Sequence, residues 1–458
     1  MYRQWFIILA FLAAVATARG ELPEGATVLD QDIVWDIGDP DCATISPDGK
    51  LVAYISKGGV WICSVVAGPP ARLADVPDTP TALMAMPQYR EARTNFKRLR
   101  AILGNVVYNE SIQPNLVAVF GLQWTRSQDG VIYGLSKRSP KDRRSTIHTL
   151  MHVSLKGVVT TLATIKKDVY GSPQSLIGFH VAQDREHAVV WHHTPLIWDL
   201  VKNRPRATCF DYLLPSSTSD RFLGIEIDTR QLVVTDEKLQ ISKRFDVTFD
   251  LGRGCDLFWS PDERYVIGRS YGHAEFPKSA WTGFRLDLET GNKRLMTGEF
   301  VTDRFVFTGL AGEVVRSGII GREVDYLNAL RGAYLTIVPD GDGPARALAR
   351  FRVVPQPALL AELRERPPYP RVLHNPDFTL FAMALPHSSG KHSGYDYHLL
   401  HRDGRQWKFP IGTDPPYIAP YHLVAFADDG RTLVARNDSQ LFSIPVEVIQ
   451  ANKETSDE

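Results

Sequence analysis

The chain is short of the features that most directly betray a function. Four cysteines in 458 residues leave little for a disulfide framework, although export would permit one. Charge of neither sign is in excess: 52 Lys and Arg stand against 52 Asp and Glu, so no global field draws the chain to nucleic acid or to a membrane. The main apolar run, Trp5 to Val15, is about eleven residues and falls short of the roughly 20 that span a bilayer. There is no G-x-S-x-G element, no H-E-x-x-H, no P-loop and no dinucleotide-binding fingerprint. What is present is a hydrophobic content of 44%, enough for a packed core.

The first residues read as a secretory signal peptide spanning residues 1–18. Arg3 supplies a positive start, Trp5 to Val15 the apolar stretch, and Ala16-Thr17-Ala18 a small-x-small cleavage site. The chain is therefore expected to be exported, to a periplasmic or extracellular place, with no transmembrane span in its mature form. Residues 19–450 read as a single domain and 451–458 as a disordered tail.

That domain is dominated by one recurring pattern: an apolar run, a tight polar turn, and a second apolar run. Ile45-Ser46-Pro47-Asp48-Gly49-Lys50-Leu51 and Trp259-Ser260-Pro261-Asp262-Glu263-Arg264-Tyr265 show it most clearly. Proline presets the first central turn position, Asp bonds its own backbone, and Gly accepts positive φ, so each copy predicts a β-hairpin. Weaker copies centre on Asp129, Asp184, Asp220, Asp377 and Asp429, and an eighth has Gly312 at the aspartate position. The steps between copies, 81, 55, 36, 42, 50, 65 and 52 residues, fit one four-stranded unit of roughly 40 to 50 residues plus variable loops. Two further apolar runs follow each hairpin, giving strands A, B, C and D.

The expected fold is thus all-β: a closed β-propeller of four-stranded antiparallel blades, eight in number, or seven if the Asp220 copy is a long insertion. The last copy supplies only A, B and C. Its fourth strand can come from Thr27-Val28-Leu29 or Ile33-Val34-Trp35, which would close the ring and remove exposed edges. This arrangement puts Cys42 and Cys63 in one sheet two strand spacings apart, about 9.6 Å and beyond disulfide reach. Cys209 and Cys255 fall in sheets read as non-neighbours, so no structural disulfide is expected.

The S-P-D-G hairpins, each preceded by an aromatic or aliphatic residue, resemble the propeller repeats of TolB and its relatives. Similar repeats occur in the propeller domains of prolyl-oligopeptidase-type enzymes. The resemblance runs from about Asp41 onward and implies a fold rather than an activity. Neither TolB's N-terminal domain nor a peptidase's hydrolase domain is expected beside it.

Strand direction alternates within a blade, so A–B and C–D turns open on one face and B–C and D–A connections on the other. The long segments gather on the second face. Residues 78–116 form the largest, with Tyr89, Ala92, Phe96, Leu99 and Leu103 at the steps of an amphipathic helix inserted between blades 1 and 2. Its polar side carries Arg90, Arg93, Lys97, Arg98 and Arg100. With Lys137, Arg138, Arg143 and Arg144 of the basic B–C loop Ser136 to Ser145, it makes a candidate cationic patch suited to an acidic surface or an anionic glycan. Further long B–C loops are read at Tyr271 to Trp281, Gly321 to Gly332 and Pro386 to Tyr395.

Loops on a rigid scaffold are where binding concentrates, so the candidate binding face is this one, with His192, His193, His273, Glu275, Trp281, Tyr326, His387 and His392. Of these, His273, Glu275, His387 and His392 could converge on a divalent metal. His398 and His401 stand three apart on a strand and cannot share one ion. Trp124 and Trp259 read as core. Asn109-Glu110-Ser111 and Asn437-Asp438-Ser439 fit the glycosylation acceptor pattern. The function that follows is a non-catalytic, monomeric binding protein for a protein, a peptide or a cell-envelope polymer, with no cofactor. The alternative is a hydrolase or lyase with a histidine-rich, metal-dependent site at the axial mouth of the same face.

Overall fold

Seven of the repeat turns close in the same way. In the computed structural model, the first turn residue's amide donates to the carbonyl five residues on: Ser46 to Leu51 (2.8 Å), Thr125 to Gly130 (3.1 Å), Ala182 to His187 (3.1 Å), Ser216 to Arg221 (2.9 Å), Ser260 to Tyr265 (2.8 Å), Asn375 to Leu380 (3.1 Å) and Ala427 to Thr432 (2.8 Å). The Ser46 hydroxyl donates to Asp48 Oδ1 at 2.6 Å and accepts from the Leu51 amide at 2.9 Å, so both turn side chains replace backbone partners. The fourth turn position is left-handed, φ 67° at Gly49, as its place in the motif demands. Gln128, Arg185, Glu263 and Phe378 hold the same place with φ between 55° and 57°, each at a strain of about 1 kcal/mol.

This register corrects two of the turn markers. Counted from the closing bond, Ser127 and not Asp129 matches Asp48, and Asp220 likewise sits two places on, at the position of Lys50. Asp129 nevertheless stays bonded within its own turn, accepting from the Thr125 and Ser127 hydroxyls at 2.7 and 3.0 Å.

The structure describes residues 22, 25–31, 33, 43–66, 68–77, 117–138, 145–168, 178–182, 185–191, 195–206, 208–216, 219–248, 255–260, 262–271, 281–296, 302–307, 314–320, 332–338, 346–351, 372–389, 392–411, 423–427, 429–437 and 440–451. Residues 1–18, the insertion 78–116 and the tail 452–458 lie outside these.

The described strands form eight four-stranded antiparallel sheets, the blades of a β-propeller. Seven follow chain order. Sheet 1 is Ala43–Ile45, Leu51–Ser56, Gly59–Ser64 and Ala71–Asp75; sheet 2 is Val117–Trp124, Gly130–Arg138, Ser145–Ser154 and Val159–Asp168. Sheet 3 is Gly178–Val181, His187–Trp191, Pro195–Asp199 and Arg204–Arg206; sheet 4 is Phe210–Pro215, Phe222–Glu226, Gln231–Thr235 and Ile241–Thr248. Sheet 5 is Cys255–Trp259, Tyr265–Tyr271, Trp281–Asp287 and Lys293–Met296; sheet 6 is Thr302–Phe307, Val314–Ile320, Gly332–Val338 and Arg346–Phe351. Sheet 7 is Val372–His374, Leu380–Ser389, His392–His401 and Gln406–Phe409. Sheet 8 joins the two ends of the described chain: Leu423–Phe426, Thr432–Arg436 and Gln440–Pro445 take Thr27–Gln31 as their outermost strand. Val28 pairs with Phe442 and Gln31 with Gln440, so the first of the two candidate segments is the one used.

The core lies between sheets. Where their side chains are described, second strands are largely buried on both sides, and successive residues go to alternate neighbours. In sheet 1, Ala53 and Ile55 pack with Val119, Trp124 and Tyr133 of sheet 2, whereas Val52 and Tyr54 pack with Leu29 and Leu441 of sheet 8. In sheet 3, Ala188 and Val190 face Ile132 and Leu150 of sheet 2, and Val189 faces Phe222 of sheet 4. Leu223 and Ile225 then meet Leu257 and Phe284 of sheet 5, and Leu399 and Phe409 of sheet 7 meet Leu433 and Phe442 of sheet 8.

Several expectations change. Cys209 directly precedes sheet 4 and Cys255 opens sheet 5, so they belong to consecutive sheets; Cys63 and Cys209 are free thiols. The last strand ends at Pro445, and Val446–Ala451 turn into a helix that buries Val446 and Ile449. Asn437 is buried with its amide on Gln440 Oε1 (3.1 Å), a turn residue and not an accessible glycosylation acceptor. Among the described residues no helix is long and apolar enough to cross a membrane.

Candidate functional site

Strand boundaries decide which face is elaborated. No A–B or C–D connection exceeds seven residues. On the other face, residues 76–116, 352–371 and 410–422 join the D strands of sheets 1, 6 and 7 to the next A strand, and 272–280 and 321–331 are the B–C connections of sheets 5 and 6.

Most residues proposed for that face fall outside the described ones: His192, His193, His273, Glu275, Tyr326, Arg90, Arg93, Lys97, Arg98, Arg143 and Arg144. Trp281 opens the third strand of sheet 5 opposite Tyr271. Lys137 is exposed near the end of its strand, opposite Ile147, and Arg138 ends the same strand opposite Thr146. The segment Pro386 to Tyr395 corrects the sequence reading. It is not a loop but a continued ladder, with His387 opposite Gly394 and His392 opposite Ser389. Among the described residues no group of three or more His, Cys, Asp or Glu side chains could hold a metal ion.

His398 and His401 part as their spacing requires. His398 is buried opposite Met383, and burial drives its ring down to about 4, with Lys408 adding and Asp396 opposing. His401 is half-buried and pairs with Asp403, Nδ1 to Oδ1 at 2.7 Å.

The opposite face carries a network that sequence reasoning took for turn chemistry alone. Asp129 accepts both Arg185 Nη2 contacts, 2.7 and 2.8 Å, joining the turns of sheets 2 and 3. Hydrogen bonding from Thr125, then from Ser127 and Arg185 against the cost of desolvation, holds its carboxyl down at about 2. Arg126 reaches past sheet 3 to Asp220 of sheet 4 at 3.8 Å. Glu263 of sheet 5 accepts from Ser216 and, at 3.2 Å, from Arg221 of sheet 4. The slipped positions of Asp129 and Asp220 place them within reach of these arginines, Asp129 while still bonded in its own turn, and the i→i+5 count was the signal that could have shown it.

Side chains of the first strands add ties deeper in. The Trp124 indole donates to the Thr44 carbonyl (3.2 Å), and the Trp259 indole to that of Leu214 (3.2 Å), each reaching the preceding sheet. The Gln123 amide both donates to and accepts from the backbone of Val181, each at 3.0 Å. Between these groups lies a cavity of about 30 Å³ lined by Gln123, Arg126, His180, Arg185 and Asp220. A void of that size admits about two waters, not a substrate. Burial lowers the His180 ring to about 4, with Arg126 and His187 adding. Among the described residues these ties run from sheet 2 to sheet 5 on this face.

No protein-family model matches the chain, and no curated protein matches it. Among solved structures, the C-terminal WD40 domain of Sif2 aligns with a TM-score of 0.48 at 10% identity, over 93% of this chain and 99% of that one. The Dos1 propeller aligns at 0.44 and 10% identity, over 93% and 95%. Puromycin hydrolase aligns at 0.39 and 13%, over 81% of this chain and 53% of the hydrolase. The propeller assignment rests on the sheet order and register of the chain itself.

Proposed function

We propose that the chain is an exported, eight-bladed closed propeller built from TolB-like repeats, which binds a protein or peptide, without catalysis, through its B–C/D–A face. The observation that carries this reading is the one-sided length distribution. Every A–B and C–D connection has seven residues or fewer, and the connections of nine residues or more all open on the other face. A scaffold under no demand for recognition has no reason to lengthen one face only. Basic residues on the insertion and around Lys137 favour a partner with an acidic surface.

Closure is supported by the outermost strand of sheet 8, drawn from Thr27–Gln31, and by the shared core of sheets 8 and 1. The Tyr54 hydroxyl of sheet 1 also donates to Asp30 on that strand at 2.5 Å. Export predicts a mature N-terminus at Arg19, read by N-terminal sequencing of the secreted protein. The binding face is tested by exchanging residues 272–280 and 412–422 for short Gly-Ser turns, singly and together. Partner binding is expected to fall with each exchange while the thermal transition is retained. Full binding by the doubly exchanged protein would sink the proposal.

A further inference from the structure

Charge is sorted across the sheets in a way the balanced composition conceals. The eight outermost strands carry twelve Lys and Arg against four Asp, whereas the eight innermost strands carry one Arg against three Asp. The surplus is not uniform either. Sheets 3, 4 and 5 each place two cations on the outermost strand: Arg204 and Arg206, Lys243 and Arg244, Lys293 and Arg294. Sheet 2 does the same with Lys166 and Lys167, and sheet 6 with Arg346 and Arg350. Only Asp168 and Asp246 offset them. The outer strands of sheets 7, 8 and 1 carry Lys408, Asp30, Arg72 and Asp75, with no net charge.

Charges on edge strands discourage edge-to-edge pairing. That need is the same for all eight sheets, yet sheets 7, 8 and 1 lack the surplus, so edge protection does not account for an arc of one sign. Sheets 2 to 6 are consecutive neighbours: strands of sheets 2 and 3, 3 and 4, and 5 and 6 lie against one another, and sheets 4 and 5 share a core. Arg204, Arg206, Lys243, Arg244 and Lys293 are exposed. Lys243 is steadied by the Leu288 and Glu289 carbonyls of the next sheet (2.6 and 2.9 Å), and Arg244 by Glu226 (2.9 Å).

From this arc we infer a second binding surface, on the rim rather than on either face: the outer strands of sheets 2 to 6 take a linear polymer bearing regularly spaced phosphate or sulfate groups. Arg204 and Arg206 are exposed on this arc, and the planar Arg fork matches those oxyanions in pairs. A single-stranded polymer with bases would call for aromatic stacking platforms. Among the described residues the exposed large apolar side chains are Val, Leu and Ile only. Among the described residues the surface therefore suits an anionic glycan or polyphosphate over a single-stranded nucleic acid.

The test measures binding of a heparin oligosaccharide, an inorganic polyphosphate and an oligothymidylate to the full chain by fluorescence anisotropy across a salt series. Heparin and polyphosphate are expected to bind, with affinity falling about 50-fold between roughly 50 and 200 mM salt for about four phosphate-type contacts. Arg204→Glu/Arg206→Glu/Lys293→Glu/Arg294→Glu is expected to weaken both by about tenfold or more, and Arg72→Glu/Lys408→Glu, outside the arc, by less than about twofold. If the reversed quadruple variant does not fold, the same four positions changed to Gln are expected to lose about fivefold. No binding of heparin or polyphosphate at low salt, equal losses from both variant sets, or tighter binding of oligothymidylate would each overturn the inference.

Discussion

Lowering the pH from 8 to 5 should destabilise the propeller through His398, and the amount can be worked out. The ring is 9% exposed, packed in sheet 7 opposite Met383, and burial holds it at about 4 against an ordinary 6.5. A histidine depressed in the folded state binds its proton more readily when unfolded, so its penalty is absent above 6.5 and grows as pH falls toward 4. With those two values the loss at pH 5 is about 2 kcal/mol. His398→Gln cannot titrate and keeps a polar group of similar reach. Guanidinium unfolding at pH 8 and pH 5 should then show the wild-type midpoint dropping by the equivalent of about 2 kcal/mol more than the variant's. An equal drop in both proteins, or a His398 ring resonance titrating near 6.5, would refute the reasoning.

Three further outcomes follow from the packing. Phe222, fully buried between sheets 3 and 4, should cost about 3–5 kcal/mol on change to Ala, read by denaturant titration. Trp259→Phe removes the donor to the Leu214 carbonyl while keeping an aromatic ring, and should cost about 1 kcal/mol by the same assay. Deleting residues 27–31 strips the partner of Gln440–Ser443 and exposes that edge; size-exclusion chromatography should show self-association, reversed by a peptide of sequence TVLDQ.

The strands and turns were legible because the physics that sets them is local. Pro47-Asp48-Gly49 and Pro261-Asp262 declare a hairpin by themselves, and the double-sided burial of Val52-Ala53-Tyr54-Ile55 shows as an unbroken apolar run. What escaped depends on distance. The Asp129 carboxylate looks like a turn residue until Arg185, from a turn in the next sheet, is seen on it. The ladder from Leu385 to Tyr395 was misread because Pro386, Ser388, Ser389 and Gly390 have loop composition, while pairing across the hairpin overrides local propensity. The cationic rim was hidden by counting: with 52 charges of each sign, only the order of strands within sheets separates outer from inner.

Site-specific photo-crosslinking in the cells that make the protein tests the central claim, recognition by one face, most directly. Crosslinkers would replace Lys57 in a B–C turn and Lys137 near the B–C end of its strand, and Lys50 and Asp429 at A–B turns, all exposed. The account predicts a discrete protein adduct from the first pair and none from the second. Adducts from Lys50 and Asp429 alone, or none from any position, would contradict it.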